Sequence, residues 1–305
     1  MSRKSKVIVI EGPTGVGKTA AALSLAETLP VEFINADSMQ VYRYMDIGTS
    51  KPTSEELMLA PHHLVSIVDP DEDFDAARFM KLGRSAVDDI CSRGKVPVVV
   101  GGTALYIRAL IRGIFNAPEK NAVLREALML QEGKVLYQKL SRVDPVSAAR
   151  INPNDRIRIV RALEVFYLTG KPLTDHHKNH QFRDVPYNCL KLCLIREREA
   201  LYHRIGQRVD RMMEQGFLAE VAGRLKRGYS SRLKSMQSIG YRQLVRHLQG
   251  KVDLADAVSE IKQETRRFAK RQLTWFRKES EAVRLRLPEK TGDILPSVKK
   301  FLNVP

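Results

Sequence analysis

The chain has 305 residues, 51 of them Lys or Arg against 35 Asp or Glu, for a formal charge of +16. Hydrophobic residues make up 43% of it, enough for a sizeable core, which excludes disorder over most of the length. The longest apolar run, Val96-Pro97-Val98-Val99-Val100, is strand-sized and far short of the roughly 18 residues of a membrane-spanning helix, so no membrane association is expected.

The basic start, Met1-Ser2-Arg3-Lys4-Ser5-Lys6, is followed by only four apolar residues before Glu11, too few for a signal peptide. Cys91, Cys189 and Cys193 form no disulfide framework, so a reducing cytoplasm is expected. The charge is unevenly placed. Residues 1–115 carry 13 basic and 14 acidic side chains, and residues 116–305 carry 38 and 21. Such asymmetry points to one ligand at one end and a large polyanion at the other.

In chain order, Val7–Ile10 reads as a buried strand, followed by a Gly-rich turn and an Ala/Leu helix over about 18–29. Val31–Asn35 is a second strand. Residues 75–91 form an amphipathic helix, with Ala77, Met80, Val87 and Ile90 at helical intervals. Val96–Val100 is a third strand, then Gly101-Gly102 and a helix over 103–111. Strands alternating with helices at this spacing predict a parallel sheet. From 116 to 185 the pattern turns helical, punctuated by Pro118, Pro145, Pro153 and Gly170-Lys171-Pro172, with helix starts at Asp144-Pro145 and Asn152-Pro153-Asn154-Asp155. A strand returns at Leu190–Ile195, then basic helices over roughly 198–226 and 253–279, and a short strand at Val283–Leu287. The expected organisation is an α/β core over 1–115 and 186–305, interrupted by a helical insertion over 116–185.

Gly12-Pro13-Thr14-Gly15-Val16-Gly17-Lys18-Thr19 matches G-x-x-x-x-G-K-[ST], with a strand before it and a helix after it. The glycines let the backbone wrap a phosphate, and the helix start presents N–H groups to an anion. Lys18 adds a point charge, and the Thr19 hydroxyl is a candidate ligand for Mg²⁺. The fold class is therefore α/β, a P-loop NTPase-like parallel sheet with a helical insertion. The strand Val96–Val100 ends in Gly101-Gly102-Thr103 rather than in the metal-holding Asp of P-loop hydrolases, which disfavours an ATPase. Asp37, just past the second strand, and Thr103, just past the third, should reach the same sheet edge as Lys18 and Thr19. Spacing alone leaves open whether Asp37 does chemistry or caps a turn.

Beyond the P-loop, the chain carries Asn35-Ala36-Asp37-Ser38-Met39-Gln40-Val41-Tyr42, Met45-Asp46-Ile47-Gly48-Thr49-Ser50-Lys51-Pro52, Pro61-His62-His63-Leu64 and Gly101-Gly102-Thr103-Ala104-Leu105-Tyr106. Further on come Asn152-Pro153-Asn154-Asp155, Arg161-Ala162-Leu163-Glu164-Val165, Gln237-Ser238-Ile239-Gly240-Tyr241-Arg242 and Ala269-Lys270-Arg271-Gln272-Leu273-Thr274-Trp275-Phe276-Arg277. In these motifs, and in their order from residue 12 to 277, the sequence resembles the tRNA dimethylallyltransferases, the isopentenyl-tRNA transferases of bacteria. The resemblance implies transfer of a dimethylallyl group from dimethylallyl diphosphate to N6 of the adenosine 3′ of the anticodon, in tRNAs reading codons that begin with U. Mg²⁺ is the implied cofactor and the tRNA anticodon stem-loop the implied partner. The enzyme is expected to be a monomer.

The same resemblance assigns roles. Thr14–Thr19 hold the prenyl diphosphate, Asp37 is the general base for the adenine amine, Thr103 lies near the reaction channel, and Arg208 contacts the diphosphate. On sequence alone Arg208 is one of many helix-surface arginines. Implied tRNA contacts are Asp37, Ser38, Met39, Gln40 and Thr103, then Arg125, Ile157, Arg158, Ile159, Val160 and Arg161, and finally Gln237, Ser238, Ile239, Gly240, Tyr241 and Arg242. Ile157 departs from the family, where many members carry Gln, and Thr265-Arg266-Arg267 replaces a common Thr-Arg-Gln. Tyr241 and Trp275 are aromatic groups in motif positions where a base can stack, although Trp275 reads more simply as core.

Three other signals are discounted. The acidic run Asp69, Asp71, Glu72, Asp73 and Asp75 reads as a solvated loop and helix cap. His176, His177 and His180 lack the partners of a zinc site. Cys189 and Cys193 share one strand face and read as buried thiols. Two alternatives remain, a P-loop kinase for a nucleotide or small metabolite and a non-catalytic RNA-binding protein.

Overall fold

The computed structural model of the chain describes residues 4–115, 117–180 and 183–305. They form two compact units, Met1–Ile111 with Val185–Pro305, and Arg112–Asp184. The chain enters through β1 (Lys6–Glu11), α1 (Lys18–Ala26), β2 (Val31–Asn35), α2 (Ser54–Leu59), β3 (His62–His63), α3 (Ala76–Ser92), β4 (Val96–Gly101) and α4 (Ala104–Arg112). Five helices follow, α5 (Ala122–Met129), α6 (Gly133–Val143), α7 (Pro145–Arg150), α8 (Arg156–Thr169) and α9 (Leu173–His180). The first unit is completed by β5 (Asn188–Arg196), α10 (Arg198–Glu214), α11 (Phe217–Lys226), α12 (Tyr241–Leu248), α13 (Leu254–Phe276), β6 (Val283–Leu287) and α14 (Ile294–Leu302).

The sheet runs β3-β2-β4-β1-β5-β6 with every pair parallel. On one face Ile8, Ile10, Val98, Leu192 and Leu194 pack with Leu25, Leu201, Ile205, Ile294 and Val298 from α1, α10 and α14. On the other, α3 packs β2 and β4, and the rings of Phe79 and Tyr106 stack 4.5 Å apart between α3 and α4. Cover on both sides explains why Val7–Ile10 is continuously apolar rather than alternating. Along α3 the buried face is Ala76, Phe79, Gly83, Ala86, Val87 and Ile90. Of the expected stripe, Val87 and Ile90 are buried, whereas Ala77 is exposed and Met80 half-buried. The true stripe follows the i, i+4, i+7, i+8 spacing of a helix.

The register decides where ligands can meet. Glu11 at the end of β1 lies opposite Gly101 and Cys193, and Asn35 at the end of β2 lies opposite Val100. β1, β2 and β4 therefore finish level, and the segments that follow them leave the sheet at one edge. The helix expected over 198–226 is two helices, broken at Gly216, whose φ of 95° closes the turn. The sequence reading did not contain α2, β3, α12 or α14.

In the second unit, Leu128, Leu136, Leu140, Ala148, Ile159, Val160 and Leu163 form a separate core. Asp144 caps α7 with Pro145 in its first turn, and Asp155 caps α8 through the Arg158 N–H. Gly170, at φ 69°, ends α8. The carboxylate of Glu164 is fully buried and compensated by Arg125, Arg161 and the Asn121 N–H.

Candidate active site

The P-loop leaves β1 at Gly12, where a Cβ would sit 2.5 Å from the Leu194 carbonyl oxygen at a φ of +147°, so glycine is required twice over. Val16 is buried in the core beneath the turn. The Lys18 ammonium folds back over the loop and donates to the carbonyls of Gly12 and Pro13, both at 2.9 Å. Burial pulls its pKa down to about 8, with Asp37 opposing the shift and Arg208 adding to it. Lys18, Asp37 and Arg208, far apart in sequence, thus share one electrostatic environment. Thr19 stands exposed in the first turn of α1.

Asp37 caps its own turn by accepting the Met39 N–H on Oδ1 at 2.8 Å. Among the described residues Oδ2 has no hydrogen-bond partner. Thr103 is tied to the same turn. Its N–H donates to the Ala36 carbonyl at 3.1 Å and its Oγ1 accepts the Ser38 N–H at 3.0 Å. Arg208 on α10 donates to Thr14 Oγ1 at 3.3 Å and to the Thr49 carbonyl at 3.4 Å. The helix-surface reading of Arg208 was therefore wrong, because α10 lies against the P-loop. One turn earlier Arg204 donates to the Gly15 carbonyl at 3.0 Å. Gln272 on α13 accepts the Thr14 N–H and donates to the Gly102 carbonyl, both at 2.9 Å. Sequence reasoning missed Arg204 and Gln272 as site residues. Gln272 lies in the Ala269–Arg277 motif, and Arg204 is four residues before Arg208.

Loop 38–52 is held from the far side. The Glu220 carboxylate accepts the N–H groups of Asp46, Ile47 and Gly48 and the Tyr241 hydroxyl. The Gln40 amide donates to the Thr49 and Ser50 carbonyls. Tyr241 is 0% exposed, edge-on to Phe217, and burial with Glu220 beside it raises its pKa. It cannot offer a ring to an incoming base, because the ring fills the core beneath the loop. Trp275 reverses the opposite expectation. It is 37% exposed, with the Arg108 guanidinium 4.8 Å from its ring centre.

Of the other expected contacts, Ser38, Met39, Ile239 and Arg242 are half-buried, Gln237 is exposed and Gly240 buried. Arg232, Gln237, Arg242, Arg246 and Lys251 line a cavity of 450 Å³. Arg242 and Arg246 also pair with Glu264 and Glu260. In the second unit Ile157 is 76% exposed and Arg158 is exposed, whereas Ile159 and Val160 belong to the core. These two side chains are withdrawn from any surface ligand, because the apolar stripe of α8 turns them inward. Arg125 and Arg161 are engaged by Glu164.

Asp75 caps α3, and Glu72 pairs with Arg78. No group of three potential metal ligands occurs among the described residues. His176 meets Thr169 and stacks on Phe115, while the side chain of His180 lies outside the described residues. Cys193 is buried and Cys189 half-buried, and neither is in a disulfide. No helix of the described residues is long and apolar enough to cross a membrane.

Fold and site together define a P-loop α/β protein whose anion cradle faces an aspartate and a threonine across one sheet edge. The family model described as IPP transferase matches residues 40–279. The tRNA dimethylallyltransferase of Geobacter metallireducens is 50% identical over 302 residues, 98% of either chain. That of Syntrophobacter fumaroxidans is 53% identical over 279 residues, 90% of this chain and 82% of the relative. Among solved structures, the tRNA isopentenylpyrophosphate transferase of Bacillus halodurans shares 39% identity over 98% of this chain and 97% of its own, with a TM-score of 0.74. A eukaryotic dimethylallyltransferase acting on tRNA aligns over 99% of this chain and 80% of its own, at 31% identity and a TM-score of 0.84. The chain belongs to the IPP transferase family.

Proposed function

We propose that the protein transfers a dimethylallyl group from dimethylallyl diphosphate to N6 of the adenosine 3′ of the anticodon, in tRNAs reading codons that begin with U, and releases diphosphate. The observation that carries this reading is the shared edge of P-loop, Asp37, Thr103 and Arg208, on a chain whose relatives are named for this transfer. A P-loop kinase, the alternative drawn from the P-loop motif, has no support among those relatives.

The allylic C–O bond breaks, the N6–C bond forms, and negative charge grows on the diphosphate. Lys18 and Arg208, held beside the loop, stabilise that charge. Asp37 takes the proton of the adenine amine on Oδ2, while the Met39 N–H holds Oδ1 in place. Thr103 sets the turn that aims Asp37. The exposed Thr19 hydroxyl is an oxygen donor that suits Mg²⁺, which commonly takes few protein ligands beside substrate phosphates. Bound there through Thr19, Mg²⁺ would add positive charge against the leaving diphosphate.

The tRNA anticodon stem-loop engages Asp37–Gln40, Gln237, Ser238 and Arg242 in the first unit, and Ile157 and Arg158 on the insertion. Residues 223–286 carry 17 basic and 6 acidic side chains, a surface suited to a phosphate backbone. The enzyme acts in the cytoplasm as a monomer. Unmodified tRNA, labelled dimethylallyl diphosphate and Mg²⁺ test the reading. Label in the tRNA is expected, and ATP turnover without label in the tRNA would point to the kinase instead. Tight tRNA binding with neither product would leave an RNA-binding protein.

A further inference from the structure

We infer that Gln272 is a positioning residue for prenyl transfer, setting the distance between the P-loop and the turn that carries Thr103. The inference rests on the proposed function. Gln272 is 7% exposed, and its side-chain amide is used at both ends. Oε1 takes the Thr14 N–H, and Nε2 donates to the Gly102 carbonyl. Each end leads into the site. Thr14 carries the hydroxyl that Arg208 holds, and Gly102 precedes Thr103, which accepts from Ser38 beside Asp37. A single amide thus spans the leaving-group half and the proton-accepting half.

Two features show that the span is built to a fixed length. A Cβ on Gly102 would stand 2.4 Å from Gln272 Nε2, so the absence of a side chain there makes room for the amide. The segment following α13 is fastened as well. Glu279, seven residues on, pairs with Arg108 of α4 at 3.0 Å and Lys191 of β5 at 3.4 Å. By taking the Thr14 N–H, Gln272 also fixes the orientation of the loop near its start. The polar amide fits because each half meets its complement, a donor at Thr14 and an acceptor at Gly102.

The test uses the full chain with dimethylallyl diphosphate and unmodified tRNA, measuring kcat and both KM values between pH 6 and 9. Gln272→Met keeps the volume and loses both hydrogen bonds. It is expected to lower kcat about 10- to 100-fold with the KM for tRNA unchanged. Gln272→Glu is isosteric. Protonated, it again offers one acceptor and one donor; ionised, it sets an acceptor against the Gly102 carbonyl. Its kcat relative to wild type should rise as pH falls, whereas the Gln272→Met ratio stays flat. Gly102→Ala displaces Nε2 without altering the glutamine and should lower kcat in the same direction.

A Gln272→Met enzyme with wild-type kcat overturns the inference. So does a variant series that lowers the Tm while kcat stays intact below the unfolding range. If Gln272→Met does not fold, Gly102→Ala and the pH ratio of Gln272→Glu decide, and a flat ratio with unchanged Gly102→Ala kcat counts against the inference. A wild-type protein that transfers no prenyl group removes the proposed function and this inference together. A transferring wild type with indifferent variants removes only the inference.

Discussion

At the P-loop the two cations, Lys18 and Arg208, are part-buried and fastened to Gly12, Pro13, Thr14 and Thr49. Along α12, α13 and the segment after them, Arg246, Arg267, Lys270, Arg271 and Arg277 stand in solvent, two of them in exposed ion pairs with Glu260 and Glu264. The first arrangement uses few charges at fixed positions and low dielectric, where each interacts strongly and salt screens little. The second uses many charges in water, where each is weak and their number sets the affinity. On the proposed function, the same chain would meet a small anion by shape and a large one by count.

The strongest way to break this comparison is at Asp37. Asp37→Ala is expected to lower the prenylation rate by about 10²–10⁴-fold, the usual range for a positioned general base, with tRNA affinity little changed. Parallel losses of rate and binding would make Asp37 only the cap of its turn. Salt comes next. If about six phosphates are neutralised, raising salt from about 50 to about 200 mM should weaken tRNA binding on the order of 10³-fold. Affinity for the small diphosphate should change far less, and equal slopes would erase the distinction between the two regions.

Glu11 sharpens the local side. It ends β1 directly under the P-loop, is buried, and its Oε1 lacks a hydrogen-bond partner. Burial pushes its pKa from 4.5 to about 7, with Glu279 adding and Lys191 opposing. The folded state thus favours the protonated acid, and that contribution is present below 4.5 and lost as pH rises through 7. Glu11→Gln should be no more stable than wild type near pH 4.5 but up to about 3 kcal/mol more stable above pH 7, from about 1.4 kcal/mol for each pH unit between the two values. Urea denaturation across pH measures it, and a pH-independent difference would contradict it.

The smallest effect is at Lys18. With its pKa near 8, the ammonium loses its proton as pH rises beyond that value. Binding of inorganic diphosphate, followed by calorimetry, should weaken by up to about tenfold for each pH unit above 8. Constant affinity to pH 9 would place the work on backbone N–H groups rather than on Lys18.

Local pattern was enough for much of this protein. The Gly12–Thr19 motif, the strands Val31–Asn35 and Val283–Leu287, the parallel sheet and the helical character of the middle segment follow from spacing, turn residues and hydrophobic period, which act over a few neighbours. The motif order carried the family resemblance as far as Asp37 and Arg208. What spacing could not supply was which side of an element faces inward, or what lies opposite it. Tyr241 and Trp275 are both aromatic residues in quoted motifs, yet one is buried over Glu220 and Phe217 and the other stands exposed under Arg108. Arg208 looked like any surface arginine until α10 lay on the P-loop. Gln272 reaches Thr14 across 258 positions of chain. Such long-range partners depend on how the helices dock against the sheet edge, because a polar side chain is buried only where the tertiary fold delivers its complement.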